Sequence, residues 1–310
     1  MRTPLRARRL AKAVGAGVIL NLLSVASNTV AEPDSREIVF YNRSFTQNIQ
    51  VILQTTIERS LELTKKEYGE YQLAYYPTTS SDERIEKLSR DGEQLHLYFS
   101  TPKILDDTQQ SHTDIDIPFL TNALGLRVIL TKKQRASRFD HIKNHEDLRD
   151  FYAGIGHTWA AKKIFEHRGI PFRQALLTEK LLPMLEKDRF DYIAISTLDD
   201  IESLGPIKDN QVTALDNLML YYPIPVQLHI SNTRPELVSR LKKGLERFIS
   251  SGEATALIDA EMSERNILQG EARVRLLMIK NPLYDEQRNQ AAFKNLTEQF
   301  PRKFITVYQP

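Results

Sequence analysis

The sequence predicts an α/β fold of two lobes, each a sheet flanked by helices, with a cleft between the lobes. Two observations lead to this prediction. Residues 37–101 alternate apolar strands and helices in the order β-α-β-α-β, which is typical of a parallel sheet covered by helices. Further on, the long β-prone runs 114–133 and 218–231 each lie between two such units. We therefore expect two crossing strands that form a hinge between the lobes.

The first lobe is predicted to begin with the strand EIVFYN, residues 37–42. A helix over residues 46–67 follows, because its apolar residues recur at helical spacing and Gly69 ends the pattern. The strand YQLAYYP, the helix SDERIEKLSRDG and the strand LHLYFST complete the unit. Ligands of such parallel sheets bind beyond the carboxyl ends of the strands, so we look for site residues there.

The two crossings predict a discontinuous first lobe, formed by residues 32–128 and 224–310, and a second lobe over residues 129–223. In the second lobe, a turn at Gly156 precedes a helix predicted over residues 158–168. The segment KLLPMLEKDRFDYIAIS predicts a further helix and strand.

The returning part of the first lobe contains a predicted helix pair. The segment RPELVSRLKKGLERFISSGEATALIDAEM begins with Pro235, which suits a first helical turn, and Gly252 separates the two helices. The first of these helices carries a continuous apolar stripe at helical spacing, which predicts that one side is buried.

The N-terminus has the three parts of a signal peptide. Residues 2–12 contain five Lys and Arg and no acid, and the apolar run 13–26 follows, interrupted by Asn21. The small residues Thr29 and Ala31 then stand at cleavage positions. We expect residues 1–31 to direct the protein to the periplasm, with an uncleaved membrane anchor as the alternative.

Composition narrows the class of protein. The chain has 310 residues, of which 41% are hydrophobic and 26% are charged, and this is ordinary for a soluble protein. The absence of cysteine excludes disulfides, thiolate nucleophiles and Cys-zinc sites. Residues 1–31 hold five of the 42 basic residues and none of the 40 acidic ones, which leaves 37 basic against 40 acidic residues. Because the two signs are interspersed, we expect no nucleic-acid partner.

Four segments, taken in order, carry a resemblance to a known family. They are IDIPFLTNALGLRVIL, GIGHTWAAKKIFEHRGIPF, LPMLEKDRFDYIAIS and YYPIPVQLHISNTRPELVSRLKKGLERFISSGEATALI. Over residues 36–285 the chain resembles the family 3 extracellular solute-binding proteins, with the type II periplasmic-binding-protein fold. The segment IKNPLYD resembles an Asn-Pro-Leu element of an uncharacterised branch of that superfamily. The resemblance implies a monomer that binds a small polar ligand, amino-acid-like or a carboxylate, and presents it to a membrane permease or receptor.

The resemblance also implies a ligand site across the cleft. Its candidate residues are Tyr41, Ser100, Thr101 and Lys103 in the first lobe, and Gly156, His157, Thr158, Trp159 and Ser196 in the second. The two glycines of the GIGHTW segment would allow a ligand to approach backbone N–H groups at the start of a helix. Thr158 has the alternative role of helix N-cap, and Trp159 that of core packing.

Two positions depart from the pattern of amino-acid binders in this family. Lys103 stands nearest the place of an arginine that grips the ligand carboxylate, and lysine lacks the bidentate geometry of that arginine. Ser196 stands where the family has an aspartate for the ligand ammonium, and Asp199 and Asp200 follow it as a possible helix start.

Signatures of catalysis are absent from the sequence. It contains no G-x-S-x-G, P-loop or H-E-x-x-H motif, so we expect no catalytic residue, cofactor or metal. His141 and His145 stand four residues apart, which suits either a metal site or, as we expect, a solvated surface pair. The alternative function is an enzyme, similar to cyclohexadienyl dehydratase, or a degenerate sensory or interaction module on the same scaffold.

The signal-peptide pattern leads to a prediction about processing. We expect cleavage after Ala31, so mass spectrometry of the protein recovered from the bacterial periplasm should find Glu32 as the first residue. Recovery of the uncleaved chain from the inner membrane would contradict this prediction and favour the anchor.

Overall fold

A computed structural model describes residues 36–43, 45–101, 112–206, 211–264, 274–300 and 304–308 of the chain. The part from Arg36 onward forms one compact unit. The predicted signal peptide and Lys103 lie outside the described residues. Within the described residues, no helix combines the length and the apolar character that crossing a membrane requires.

Strands and helices alternate along much of the chain. The strands are β1 (Glu37–Tyr41), β2 (Gln72–Tyr75), β3 (Leu97–Ser100), β4 (His112–Asp116), β5 (Leu126–Lys132), β6 (Ala153–Gly156), β7 (Phe172–Ala175), β8 (Tyr192–Ser196), β9 (Val212–Tyr221), β10 (Gln227–Ser231), β11 (Val274–Met278) and β12 (Phe304–Tyr308). The α-helices are α1 (Gln47–Glu62), α2 (Lys65–Tyr68), α3 (Asp82–Asp91), α4 (Pro118–Gly125), α5 (Ala161–Arg168), α6 (Leu181–Glu186), α7 (Pro235–Ser250), α8 (Glu253–Glu264) and α9 (Glu286–Gln299).

These strands form two sheets, as the sequence predicted. The first sheet has the strand order β2-β1-β3-β10-β4, and the second has the order β12-β11-β9-β5-β8-β6-β7. In the first sheet, β1, β2 and β3 are parallel, while β10 runs antiparallel to both β3 and β4. The mixed α/β class, with a sheet and its helices in each half, is therefore confirmed.

The C-terminal strands belong to the second sheet. β11 pairs in parallel with β9, and β12 pairs in parallel with β11. This pairing differs from the prediction that all of residues 224–310 return to the first lobe. Its physical reason is burial, because β9 offers a free edge on which Leu276 and Leu277 become fully buried. The other lobe boundaries stay a prediction.

Among the described strands, the chain passes between the sheets three times, twice through short segments and once through the stretch from β10 to β11 that contains α7 and α8. The first short segment contains Ile117 and α4, and the second is the stretch 222–226, in which two prolines separate β9 from β10. Both crossings are therefore shorter than the β-prone runs that predicted them. They are hydrogen-bonded to each other at both ends, from Ile117 N to Val226 O at 2.9 Å and from Tyr222 N to Gly125 O at 3.2 Å.

The segment IKNPLYD braces the second crossing. The Asn281 side chain donates to Pro223 O at 2.8 Å and accepts from Leu283 N at 2.8 Å. The Asn289 side chain of α9 accepts from Asn281 N at 2.8 Å and donates to Asn281 O at 3.0 Å. Both asparagines are almost fully buried, so their hydrogen bonds offset the cost of removing two amides from water.

The helices α1 and α7 pack against each other beside the first sheet. The helix predicted over residues 46–67 is interrupted between α1 and α2, and Gly69 ends α2 with a positive φ of 84°. At the contact of α1 with α7, Gly244 meets the backbone of Ser60. A Cβ at Gly244 would lie 2.2 Å from the Ser60 carbonyl oxygen, so the close approach of these helices requires glycine there.

This contact predicts that replacing Gly244 by alanine changes the stability in the direction opposite to that expected in an open helix. Gly244→Ala should destabilise the protein by about 1–3 kcal/mol, because the helices must separate. In an open helix the same change stabilises by up to about 1 kcal/mol. Chemical denaturation measures the difference. Ser239→Ala, at an exposed position of α7, is the control and should change stability by less than about 0.5 kcal/mol. A stabilised Gly244→Ala protein would contradict the close contact.

Candidate functional site

A cavity of about 400 Å³ lies between the two halves of the described structure. This volume falls within the range of pockets for small molecules, roughly 300–1,000 Å³. Residues that follow β1 and β3 line one side, and residues that follow or belong to strands of the second sheet line the other. The lining residues are Arg43, Phe45, Thr46, Ile49, Thr101, Leu124, Arg127, Thr158, Trp159, Ala160, Ala161, Thr178, Asp199, Ser203, Leu204 and Ile224.

Two helices start at this cavity, and no side chain caps either of them. Thr46 is the N-cap residue of α1, and Ala160 is that of α5, and neither side chain accepts from its own helix. The first turns of both helices also lack acidic residues. Backbone N–H groups and the positive ends of two helix dipoles therefore face this space.

Two arginines add positive charge to the lining. Arg43 follows β1 and is exposed, whereas Arg127 lies within β5 and is partly buried. The Arg127 guanidinium lies over the Tyr222 ring, 5.0 Å from its centroid, and this cation–π contact helps to orient the guanidinium. Its buried Nε has no hydrogen-bond partner among the described residues. A buried guanidinium N–H without an acceptor is costly. Because Arg127 lines the cavity, its guanidinium group as a whole suits an anionic group there.

Asp199 is the acidic group of the described lining. The Thr46 hydroxyl donates to its Oδ1 at 2.9 Å, and Asn48 of α1 donates to the neighbouring Asp200. Burial raises the pKa of the Asp199 carboxyl, and the charge of Arg127 and the Thr46 hydrogen bond only partly oppose this effect. These hydrogen bonds join the start of α1 to the segment after β8 across the cavity.

The GIGHTW segment shapes one wall of the cavity. Trp159 packs onto Gly156, where an added Cβ would lie 2.6 Å from the indole nitrogen, so the glycine makes room for the ring. The Trp159 backbone N–H also donates to Gly156 O at 3.1 Å and closes the turn. Helix α5 begins at Ala161 rather than at Thr158 as predicted, because Thr158 lies in this turn. Thr158 is consequently not the N-cap and instead lines the cavity.

The structure brings three of the predicted site residues to the cavity, namely Thr101, Thr158 and Trp159. Trp159 also packs partly against the hydrophobic core, so both roles considered for it are compatible with its position. Lys103 is outside the described residues. Direct contact of these residues with a ligand stays a prediction.

The other five predicted residues lie away from the lining. Tyr41 is packed in a cluster with Ile85, Leu95 and Tyr98, and the Ser100 hydroxyl is 2.7 Å from His229 Nε2. His157 is exposed, and its Nδ1 is 3.3 Å from Gln174 Oε1.

Gly156 and Ser196 have structural positions behind the lining. Gly156 packs directly against the indole ring of Trp159. Ser196 is buried, and its hydroxyl donates to Ala123 O at 3.4 Å and accepts from Leu198 N at 3.2 Å. These contacts turn the chain after β8 toward Asp199, which reaches the cavity in place of Ser196.

His141 and His145 do not converge on a shared site. The His141 ring lies 5.9 Å from that of Phe151, and the buried His145 has its Nε2 3.2 Å from Glu146 Oε1. The helix on which they would share a side is absent, since residues 140–145 form a turn between two short 3₁₀ segments. The expected surface pair is thus incorrect for His145, which is buried.

Sequence reasoning missed Arg43, Thr46 and Arg127, and it set Asp199 aside as a helix start. A signal for Arg127 was present, because it is the one charged residue within the apolar run LGLRVIL. A long charged side chain in such a run requires either a partner or an opening to solvent. No comparable signal distinguishes Arg43 or Thr46 from ordinary loop residues.

Comparisons with known proteins find likeness in structure only. No family model and no curated protein match the sequence. The chain is similar to an amino acid ABC transporter substrate-binding protein from Streptococcus pneumoniae bound to L-arginine, with 8% identity, a TM-score of 0.48, and 74% of this chain and 94% of that one covered. It is also similar to an ancestral amino-acid-binding protein, a precursor of cyclohexadienyl dehydratase, with 15% identity, a TM-score of 0.47, and 73% and 96% covered.

A third similar structure is a double mutant of the VFT2 domain of BvgS from Bordetella pertussis, with 15% identity, a TM-score of 0.45, and 73% and 93% covered. The first two are described as proteins that bind amino acids. The likeness concerns the fold, and what each of these proteins binds is a property of that protein.

The raised pKa of Asp199 predicts a pH-dependent stability effect. The folded protein holds this proton more tightly than the unfolded chain does, so ionisation of Asp199 costs stability above its folded-state pKa. Below the ordinary aspartate range both states are protonated, and the cost vanishes. Asp199→Asn should therefore raise the melting temperature of the ligand-free protein at neutral pH, by an amount that shrinks as the pH falls.

Thermal unfolding over a pH series measures this effect. Asp216→Asn, which removes an exposed carboxylate from β9, is the matched control and should change the melting temperature little at any pH. An Asp199→Asn protein that is no more stable than wild type at neutral pH would show that Arg127 and Thr46 fully compensate the burial.

Proposed function

We propose that this protein is an exported, non-enzymatic solute-binding protein that captures a small polar ligand with an anionic group in the cavity between its two halves. The observation that carries the proposal is the convergence of two uncapped helix starts and two arginines on one small cavity. Such a convergence favours a carboxylate or a similar anion, because both the backbone dipoles and the guanidinium groups stabilise negative charge.

The roles within the site follow from position. Arg127 binds the anionic group, and the α5 start beside Thr158 and Ala160 donates backbone hydrogen bonds to it. Asp199 accepts a hydrogen bond from the opposite end of the ligand, such as an ammonium group, which would make the ligand amino-acid-like. Trp159 forms an apolar wall.

Binding couples the two halves, which we propose to move as the lobes of a hinge. The Thr46–Asp199 hydrogen bond joins groups on opposite sides of the cavity, so a ligand that contacts both sides favours the closed arrangement. The closed form is then presented to a membrane permease or receptor in the periplasm. The periplasmic location follows from the predicted signal peptide.

A thermal-shift screen with amino acids and small carboxylates tests the proposal, since a ligand that binds only the folded state raises its melting temperature. Arg127→Ala should weaken the best ligand at least tenfold in calorimetric titration, and Arg127→Lys should be intermediate, because lysine keeps the charge without the planar fork. Arg189→Ala, which removes an exposed arginine that is not part of the lining, is the control and should bind as wild type does.

Equal affinity of wild type and Arg127→Ala would remove Arg127 from the site and contradict the proposal. The screen also separates the ligand classes, because an amino acid and its deaminated carboxylate differ only in the group assigned to Asp199. Mass spectrometry of the ligand after prolonged incubation tests for catalysis. If the ligand is chemically altered, the proposal of a binding protein is wrong and the protein is an enzyme.

A further inference from the structure

A second cluster of polar side chains lies on the first sheet, away from the cavity lining. His229 of β10 stands opposite Asp114 of β4 in the strand register, and its Nδ1 is 2.7 Å from Asp114 Oδ1. His112, two residues before Asp114, places its Nε2 3.3 Å from the same oxygen. On the other side, the Ser100 hydroxyl of β3 lies 2.7 Å from His229 Nε2.

This cluster is built by three neighbouring strands. Alternation along a strand directs residues two apart to one side of the sheet, which places His112 and Asp114 together with His229. Tyr98 stacks on the His229 ring with centroids 4.5 Å apart and an interplanar angle of 19°. Tyr98 belongs to the hydrophobic cluster under α3, so the cluster lies on the α3 side of the sheet. The His229 side chain is almost fully buried and its orientation is well determined by these contacts.

We infer that His112, Asp114 and His229 form a binding site for a divalent first-row transition cation such as Zn²⁺. Two imidazoles and one carboxylate are a donor set that these cations prefer, and three protein ligands leave room for water or another ligand. Within the part of the chain that the structure describes, these are the one group of three His, Asp or Glu side chains whose donor atoms approach one another within 4.8 Å.

The distances suit a shared ion. Two ligands bound to Zn²⁺ at about 2.0–2.1 Å in tetrahedral geometry are about 3.3 Å apart. The separation of His112 Nε2 and Asp114 Oδ1 is 3.3 Å. The 2.7 Å between Asp114 Oδ1 and His229 Nδ1 is a hydrogen bond, which a cation would replace after a small opening of the pair. The two imidazole rings lie edge to face at a centroid distance of 4.7 Å, which allows both to point at one ion.

Ser100 contacts the ring nitrogen of His229 that does not face Asp114. A histidine that binds a metal through Nδ1 needs its proton on Nε2, and a hydrogen-bond acceptor on that side holds this tautomer. The Ser100 oxygen stands at that position. In the cation-bound form, the Nε2–H group of His229 would donate to the Ser100 oxygen.

The charged side chains of the neighbouring helix α3 do not add up to a repulsion of a cation. From α3, the negative Glu86 and the positive Arg90 both act on His112, with opposite signs. Asp114 supplies the negative charge that a dication needs. With 39% of its side chain exposed, it also keeps the site open to ions from solvent.

The same atoms resemble a Ser-His-Asp nucleophilic triad, and two features favour the cation instead. A triad leaves His112 without a role, although its imidazole faces the same carboxylate oxygen as His229 does. The aspartate of a triad is buried so that it orients and stabilises the imidazolium, whereas 39% of the Asp114 side chain is exposed. A hydrolase is therefore treated as an outcome of the test.

Calorimetric titration of the untagged, chelator-treated protein with ZnCl₂ tests the site. Wild type should bind one Zn²⁺ and gain melting temperature in its presence. His112→Gln and Asp114→Asn should each weaken binding at least tenfold, since each removes a ligand. Both positions are partly exposed, so the variants should fold, and their melting temperatures without zinc verify this. His141→Gln is the matched control and should bind zinc as wild type does.

Two results would overturn the site. The first is no zinc binding by wild type, or equal binding by wild type, His112→Gln and Asp114→Asn, which would place any bound ion elsewhere. The second is hydrolysis of p-nitrophenyl acetate that Ser100→Ala abolishes, in a protein that does not bind zinc, which would assign the cluster to a nucleophile. Zinc binding that is lost in both ligand variants and kept in His141→Gln supports the cation site.

Discussion

The pair of hydrogen-bonded crossings is the constraint on which the rest of the structure depends. Each sheet is assembled from distant parts of the chain. The segments at Ile117–Gly125 and 222–226 are the short connections between them, while α7 and α8 lie on the longer connection from β10 to β11. The mutual hydrogen bonds of the two short connections and the Asn281 contact with Pro223 hold the ends of β5, β9 and β10 in register. The cavity lies beside these crossings, since Leu124 and Ile224 belong to its lining. The crossings therefore position the part of the lining that lies next to them.

Within that frame the cavity holds two ionisable groups whose burial costs stability. Arg127 leaves a buried N–H without an acceptor in the described residues, and Asp199 is held at a raised pKa by burial. Each feature costs stability in the free protein, and a structure built for stability alone would pair the two groups directly. Neither cost is offset by a hydrogen bond between the two groups, and a ligand with complementary groups would offset both when it binds.

Local patterns predicted the elements of the fold well, and long-range pairing was beyond them. Some features depend only on residues that are close in sequence, so the spacing of apolar residues and glycines predicts them directly. They are the apolar stripe of α7, the end of α2 at Gly69 and the alternation along the first strands. The placement of β11 beside β9 depends on which sheet edge is free, and no local pattern encodes that. The site shows the same limit, because Arg127 and Asp199 meet only through the pairing of β5 with β8.

Ser100 and Thr101 show why adjacent residues were assigned to one site although the structure separates them. Both follow the same strand end, so sequence reasoning treats them alike. The Ser100 hydroxyl is engaged by His229 on the α3 side of the sheet, while Thr101 reaches the cavity. Alternation of side chains along β3 thereby connects one strand to two places of different chemistry. Because β3 lies beside β10 in the same sheet, a cation that stiffens β4 against β10 would also fix the strand from which Thr101 extends. The Ser100–His229 contact and the pairing of β3 with β10 join the cluster to the strand that precedes Thr101, so coupling between the two places would pass through β3.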